Sequence, residues 1–147
     1  TLPYDLFSPH QDIVSQRLET LYRLPSTRRG ILIVPVATLM QRLMPKEYLQ
    51  QHSLVLNVND ELDPDKMRIQ LEQSGYQYVS QVFEHGEFTI RGSLLDLFPM
   101  GSRLPLRIDL FDNEIETIRT FDPESQRTIQ NVDSIRMLPA AEYSLST

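Results

Sequence analysis

Arg91 ends the run GEFTIR, and Arg107 and Phe111 stand four apart in LPLRIDLF. At the two-residue period of a strand, Phe88 and Ile90 turn to one side and Glu87, Thr89 and Arg91 to the other. In the second run Leu104, Leu106, Ile108 and Leu110 take the core side, which leaves Arg107, Asp109 and Phe111 opposite. Arginine beside an aromatic ring on a rigid sheet is the composition of protein-interface hot spots: the guanidinium meets carboxylates and the ring supplies apolar area. The plainer alternative is a solvated face, with Arg91 and Arg107 paired to Asp109 or Glu87 and Phe111 folded under its hairpin as core. Pattern alone leaves both open. On the first reading all three positions are exposed, and substitution there is expected to move stability by only about 0.5 kcal/mol.

Other reactive side chains lack the spacing for chemistry. His10, His52 and His85 lie far apart, without the i, i+4 arrangement of a helical zinc pair. Asp109, Asp112 and Glu114 cluster at a turn, but without the glycine and spacing of a calcium loop, and they read as a solvated hairpin. There is no G-x-x-x-x-G-K-[ST] run to cradle phosphates and no G-x-S-x-G nucleophile motif. Cysteine is absent, so no disulfide or thiolate site exists, as suits a reducing compartment. The chain is therefore expected to be non-catalytic, with no catalytic, cofactor or metal ligand of its own.

The 147 residues are 40% hydrophobic and 23% charged, a globular composition long enough for a real core. No apolar run nears the length of a membrane span and no secretory signal is seen, so a soluble, cytoplasmic protein is expected. The net charge of −6 is unevenly spread. Residues 1–53 hold six basic and four acidic residues, whereas 54–147 hold eight and sixteen. An acidic second part is a poor match for DNA phosphates but leaves room for a local basic patch facing an acidic protein.

Around these residues the elements follow from local signals. Ser8, Pro9 and Gln11 announce a helix start, Val14, Leu18, Leu21 and Tyr22 form its apolar stripe, and Pro25 ends it. ILIVPV reads as a strand buried on both faces of a parallel sheet, followed by one or two short helices interrupted at Pro45. One such strand cannot make a sheet alone, so residues 1–53 read as cut from a larger domain. From Leu54 the pattern changes to an α+β one: a mostly antiparallel sheet with one main helix. That helix has Asp63 as cap, Pro64 at its first position, a Leu62–Met67 staple and Gly75 beyond its end. Strands are expected at 54–58, 78–82, 87–91, 94–98, 104–111 and 114–121, with one or two more within 128–138. Turns at 111–114 and 122–125 join hairpins.

The run HGEFTIRGSLLDLFPMGSRLPLRIDLFDNEIETIRTFD resembles the UvrA-binding domain shared by bacterial UvrB and the transcription-repair coupling factors of the Mfd family. Glu87, Phe88, Arg91, Gly92, Asp96, Phe98, Pro99, Arg107, Phe111, Glu114 and Ile115 all fall on that family's pattern. TLPYDLFSPHQDIVSQRLETLYRLP and RGILIVPVATLMQRLMP look like the Mfd side, since the tyrosine-rich hairpin insertion of UvrB is missing between Tyr4 and Ile13. The resemblance implies a UvrB domain 2-like fold over 54–139, preceded over 1–53 by part of a degenerate, RecA-like helicase lobe, to which 140–147 returns. It implies UvrA as partner, bound through Arg91, Arg107 and Phe111. It also implies that RNA polymerase, DNA, ATP and Mg belong to other domains of an ATP-driven translocase that clears stalled polymerase. A DNA-processing ATPase piece, or the matching region of UvrB, is the alternative. With no phosphate-cradling loop, this chain is expected neither to bind nor to hydrolyse ATP. Turnover abolished by a substitution within it would refute that.

Overall fold

The computed structural model of the chain describes residues 10–40 and 43–141. Ser8 and Pro9 lie outside that range. The first described helix, α1 (Gln11–Arg23), has His10 at its cap position without a side-chain cap bond. Leu18 on its stripe is fully buried, with Val14, Leu21 and Tyr22 packed beside it. A 3-10 turn at Leu24–Ser26 carries Pro25 and closes the helix.

ILIVPV corrects the sequence reading. Residues 31–35 form no strand, and Ile31 is 93% exposed. A strand exists only through hydrogen bonds to a neighbour, and among the described residues none pairs with this one. Val36 instead opens a single turn, α2 (Val36–Leu39), and α3 (Lys46–His52) starts directly after Pro45.

The remainder is α+β. β1 (Leu54–Asn57) leads to α4 (Pro64–Gln73), where Asp63 accepts from the Asp65 N–H at 3.0 Å. Leu62 and Met67 are both buried across that helix start, as a staple requires. Gly75 follows the helix at φ +87°, and a Cβ there would stand 2.6 Å from that of Ala141, so glycine is required twice over. Then come β2 (Gln77–Tyr78), β3 (Glu87–Arg91), β4 (Leu94–Leu97), β5 (Leu106–Phe111), β6 (Glu114–Phe121), β7 (Thr128–Val132) and β8 (Ser134–Met137). Strands β2 to β7 form one sheet in sequential order, antiparallel except for the short parallel pair β2–β3. β8 turns away and pairs antiparallel with β1.

One face of the sheet carries the main core. Phe88, Leu95, Leu97, Leu106, Ile108, Ile115 and Ile118 pack there with Met67 and Leu71 of α4 and Leu18 of α1. At the edge of this core the Tyr76 hydroxyl donates to the Leu138 carbonyl at 2.6 Å and accepts from the Met100 N–H at 3.0 Å. One side chain thus ties the end of α4 to the exits of β4 and β8. Burial pushes the Tyr76 phenol well above its ordinary value, partly offset by the Met100 bond. A raised folded value contributes stability that is whole below the unfolded value near 10 and is lost as pH climbs toward the folded one. Tyr76→Phe should cost about 1–3 kcal/mol at pH 7, because a buried carbonyl and a buried N–H lose their partner. It should also flatten the loss of stability above about pH 10. Denaturant curves at pH 7 and at higher pH check both, and matching curves at pH 7 would refute the stabilising role of the Tyr76 hydroxyl.

Candidate partner-binding face

The opposite face of the sheet holds the charged residues, and two tight turns fix which of them meet. Gly92 and Ser93 join β3 to β4, with Gly92 at φ +60°, and Asp112 and Asn113 join β5 to β6, both at positive φ. Two-residue turns lock the register. Thr89 lies opposite Asp96, Asp96 opposite Arg107, and Arg107 opposite Arg119. One row across four strands therefore places a carboxylate between a threonine and two arginines. Both turns lie at the same end of the sheet, where Leu110 donates to the Ser93 carbonyl at 2.9 Å.

Asp96 organises this row. It is 2% exposed although it lies on the face away from the main core. Arg107 reaches it with two parallel bonds, Nε to Oδ1 at 2.8 Å and Nη2 to Oδ2 at 2.9 Å. Arg91 adds one longer bond from Nη2 to Oδ2 at 3.3 Å. The fork geometry is the strong form of this interaction, and the single long contact the weak one. Arg107 also gives Nη1 to the Gln126 carbonyl at 3.1 Å and lies over the Phe121 ring at 4.7 Å. Phe121, Phe98 and Val82 make a second, small apolar cluster on this face, at the end away from the two turns, and the Gln126 amide donates to the Val82 carbonyl at 3.0 Å. The bond to Asp96, ahead of the partial desolvation that opposes it, pushes the Arg107 guanidinium above its already high value, so it is charged at any working pH.

The three residues singled out from sequence share the face but not the same surroundings. Arg91 keeps 57% of its side chain exposed and Phe111 is 68% exposed, whereas the Arg107 side chain is only 15% exposed. Phe111 is neither folded under its hairpin nor part of the core. The alternative of a solvated face, with the arginines paired to Asp109 or Glu87, does not hold either. Asp109 accepts from the Thr117 hydroxyl at 2.8 Å and pairs with Arg119. Glu87 accepts from the N–H groups of Phe83 and Glu84 at 2.8 and 2.9 Å. Asp96 takes their place because the two-residue turn slides it, and no other acid, between the two arginines. Substitution of Arg107 is therefore not neutral for the fold, since it strips the main partner from a buried carboxylate.

Asp96 falls on the family's pattern, but its role in this face is what sequence reasoning missed. Inside LLDLF it read as one position in a core strand, yet GS as a two-residue turn already implied Thr89 opposite it and Arg91 beside it. The histidines do other work. His52 stacks on Tyr48 with ring centroids 3.9 Å apart, while the His85 ring lies tilted against that of Phe98 and its Nε2 lies 2.7 Å from the Ser102 carbonyl oxygen. Among the described residues no group of three or more His, Asp or Glu is placed to hold a metal ion, and no helix is long and apolar enough to cross a membrane.

The arrangement suits recognition of a macromolecular surface: an exposed ring and an exposed guanidinium rise from a floor fixed by ion pairs. Residues 54–143 match the family model described as the UvrB interaction domain. The chain is 58% identical over 143 residues to the transcription-repair-coupling factor of Escherichia coli K12 and 56% identical to that of Haemophilus influenzae. Each match covers 97% of this chain and 12% of the relative. A Staphylococcus aureus transcription-repair-coupling factor is 38% identical over 134 residues, 91% of this chain and 11% of its own length. The chain thus spans about an eighth of the length of these relatives. With its sheet, its single long helix in the second part and its charged outer face all lying inside the matched segment, the chain belongs to the UvrB interaction domain family.

Proposed function

We propose that this chain is a non-catalytic interaction module that recruits UvrA, seated on the face around Arg91 and Phe111 with Arg107 as its fixed floor. The observation that carries the reading is the exposure of Arg91 and Phe111 on one face of a rigid sheet, within a chain of the UvrB interaction domain family. An exposed ring and a partly tethered guanidinium are the groups that dominate protein interfaces. The rest of the domain is acidic, so the arginines are the local exception that an acidic partner surface would find.

The similarity to transcription-repair-coupling factors supports a wider role within a longer protein. In that role the module brings UvrA to RNA polymerase stalled at a lesion, so that excision repair begins. ATP-driven translocation on DNA and displacement of the polymerase would then belong to other domains, as would ATP and Mg. Residues 54–139 would be the UvrA-binding domain. Residues 1–53 would belong to a helicase-like lobe, to which 140–147 return; the exposed apolar stretch from Ile31 to Met40 fits a segment that such a lobe covers.

Arg91→Ala and Phe111→Ala should each weaken UvrA binding by about 1–3 kcal/mol while leaving the melting temperature near that of the unaltered chain. Charge reversal at Arg91 should cost more, because it sets like charges against each other. Arg107→Ala should lose affinity together with about 3 kcal/mol of stability, the scale for breaking a buried ion pair. Calorimetric titration with UvrA beside thermal melts checks all of these. Unchanged affinity for both Arg91→Ala and Phe111→Ala, with the fold intact, would remove the site.

A further inference from the structure

We infer that Asp96 is a positioning residue for recognition: it holds Arg91 part-ordered on the sheet surface, so that a carboxylate of the partner meets a guanidinium already in place. The inference rests on the reading of this face as the UvrA site. Three observations lead to it. Asp96 is almost wholly buried, yet it lies outside the main core and faces the two arginines. Its two oxygens are divided unequally. Oδ1 serves Arg107 alone, while Oδ2 is shared between Arg107 at 2.9 Å and Arg91 at 3.3 Å. Arg107 is then fixed by Gln126 and Phe121, whereas Arg91 commits one donor to Asp96 and keeps its side chain more than half exposed.

Net stability alone gives no reason for this design. Burying one carboxylate under two guanidiniums is no more stabilising than well-packed apolar residues of similar volume. What the cluster gives is order and charge. A free arginine loses rotamer freedom when a partner grips it, and a tether that has already removed part of that freedom strengthens binding without a new contact. Two arginines on one aspartate also leave one positive charge in excess, directed outward at Arg91. That excess selects a carboxylate on the partner.

The test is a double-mutant cycle on the full 147-residue chain, titrated with UvrA and melted in parallel. Asp96→Asn keeps the shape and removes the charge. It should weaken binding about five- to tenfold, the range for losing one pre-ordered side chain. In an Arg91→Ala background the same substitution should change affinity less than twofold, because the side chain it positions is gone. An equal loss in both backgrounds would make Asp96 a general structural residue and overturn the inference. So would full affinity in Asp96→Asn while Arg91→Ala binds weakly, a result that leaves the proposed face standing. Full affinity in Arg91→Ala and Phe111→Ala would remove the face and this inference with it. Nitrogen-15 relaxation of the arginine side chains in the unaltered chain covers the case in which Asp96→Asn does not fold. Arg91 Nε should be clearly more ordered than that of exposed Arg103, and equal mobility would overturn the inference.

Discussion

Register is the constraint from which the rest of this structure follows. Gly92–Ser93 and Asp112–Asn113 are turns of two residues, and such turns allow one pairing of the strands they join. A slip by one residue in β4 would carry Leu95 and Leu97 out of the core and drive Asp96 into it, exchanging apolar burial for an unpaired buried charge. The hydrophobic face and the ion cluster therefore enforce the same register from opposite sides of one strand. Agreement between the turn, the pattern and the charges is what makes a single pairing dominant.

The two faces are stabilised by different physics. The main core is ordinary apolar packing of the sheet against α4 and α1, locked at its rim by the Tyr76 hydroxyl. The other face is only partly roofed by the loops that carry Val82 and Gln126, and its order comes from directional bonds at Asp96 and Asp109. Directional bonds hold surface groups at fixed angles, which apolar contact does poorly. A rigid, charged surface is the consequence, with Phe111 offering exposed apolar area beside it.

How much of this was legible in the sequence follows the range of each interaction. Features set by neighbouring residues were readable: the Asp63 cap, the Leu62–Met67 staple, the left-handed Gly75 and the Phe111–Glu114 hairpin. The side of the sheet taken by Arg91, Arg107 and Phe111 was readable too, because alternation is a local property. Features that depend on which strand lies alongside were not. The pairing of β1 with β8 joins opposite ends of the domain, and the parallel pair β2–β3 leaves no period in sequence. ILIVPV had the composition of a buried strand, but composition supplies no hydrogen-bonding neighbour, and residues 31–35 form no strand and stay largely exposed. Asp96 fell between the two classes. Its register was implied by the turn, but its burial depends on arginines from two other strands, of which Arg107 lies over Phe121 of β6.

The uneven charge gives the face a sense of direction as well as a position. Residues 54–147 carry sixteen acidic and eight basic residues, and within the sheet three of those eight are drawn together at Arg91, Arg107 and Arg119 by two aspartates. Each aspartate cancels part of the positive charge, so the cluster is a weak cation in an acidic surround rather than a basic patch. DNA gains from many phosphate contacts at once and finds few here. An acidic protein surface would meet net repulsion over most of residues 54–147 and attraction where a guanidinium projects, which penalises wrong orientations before close contact forms. If the proposed face binds its partner, specificity would depend as much on the carboxylates around it as on Arg91, and neutralising distant acids would loosen orientation without touching the contact itself.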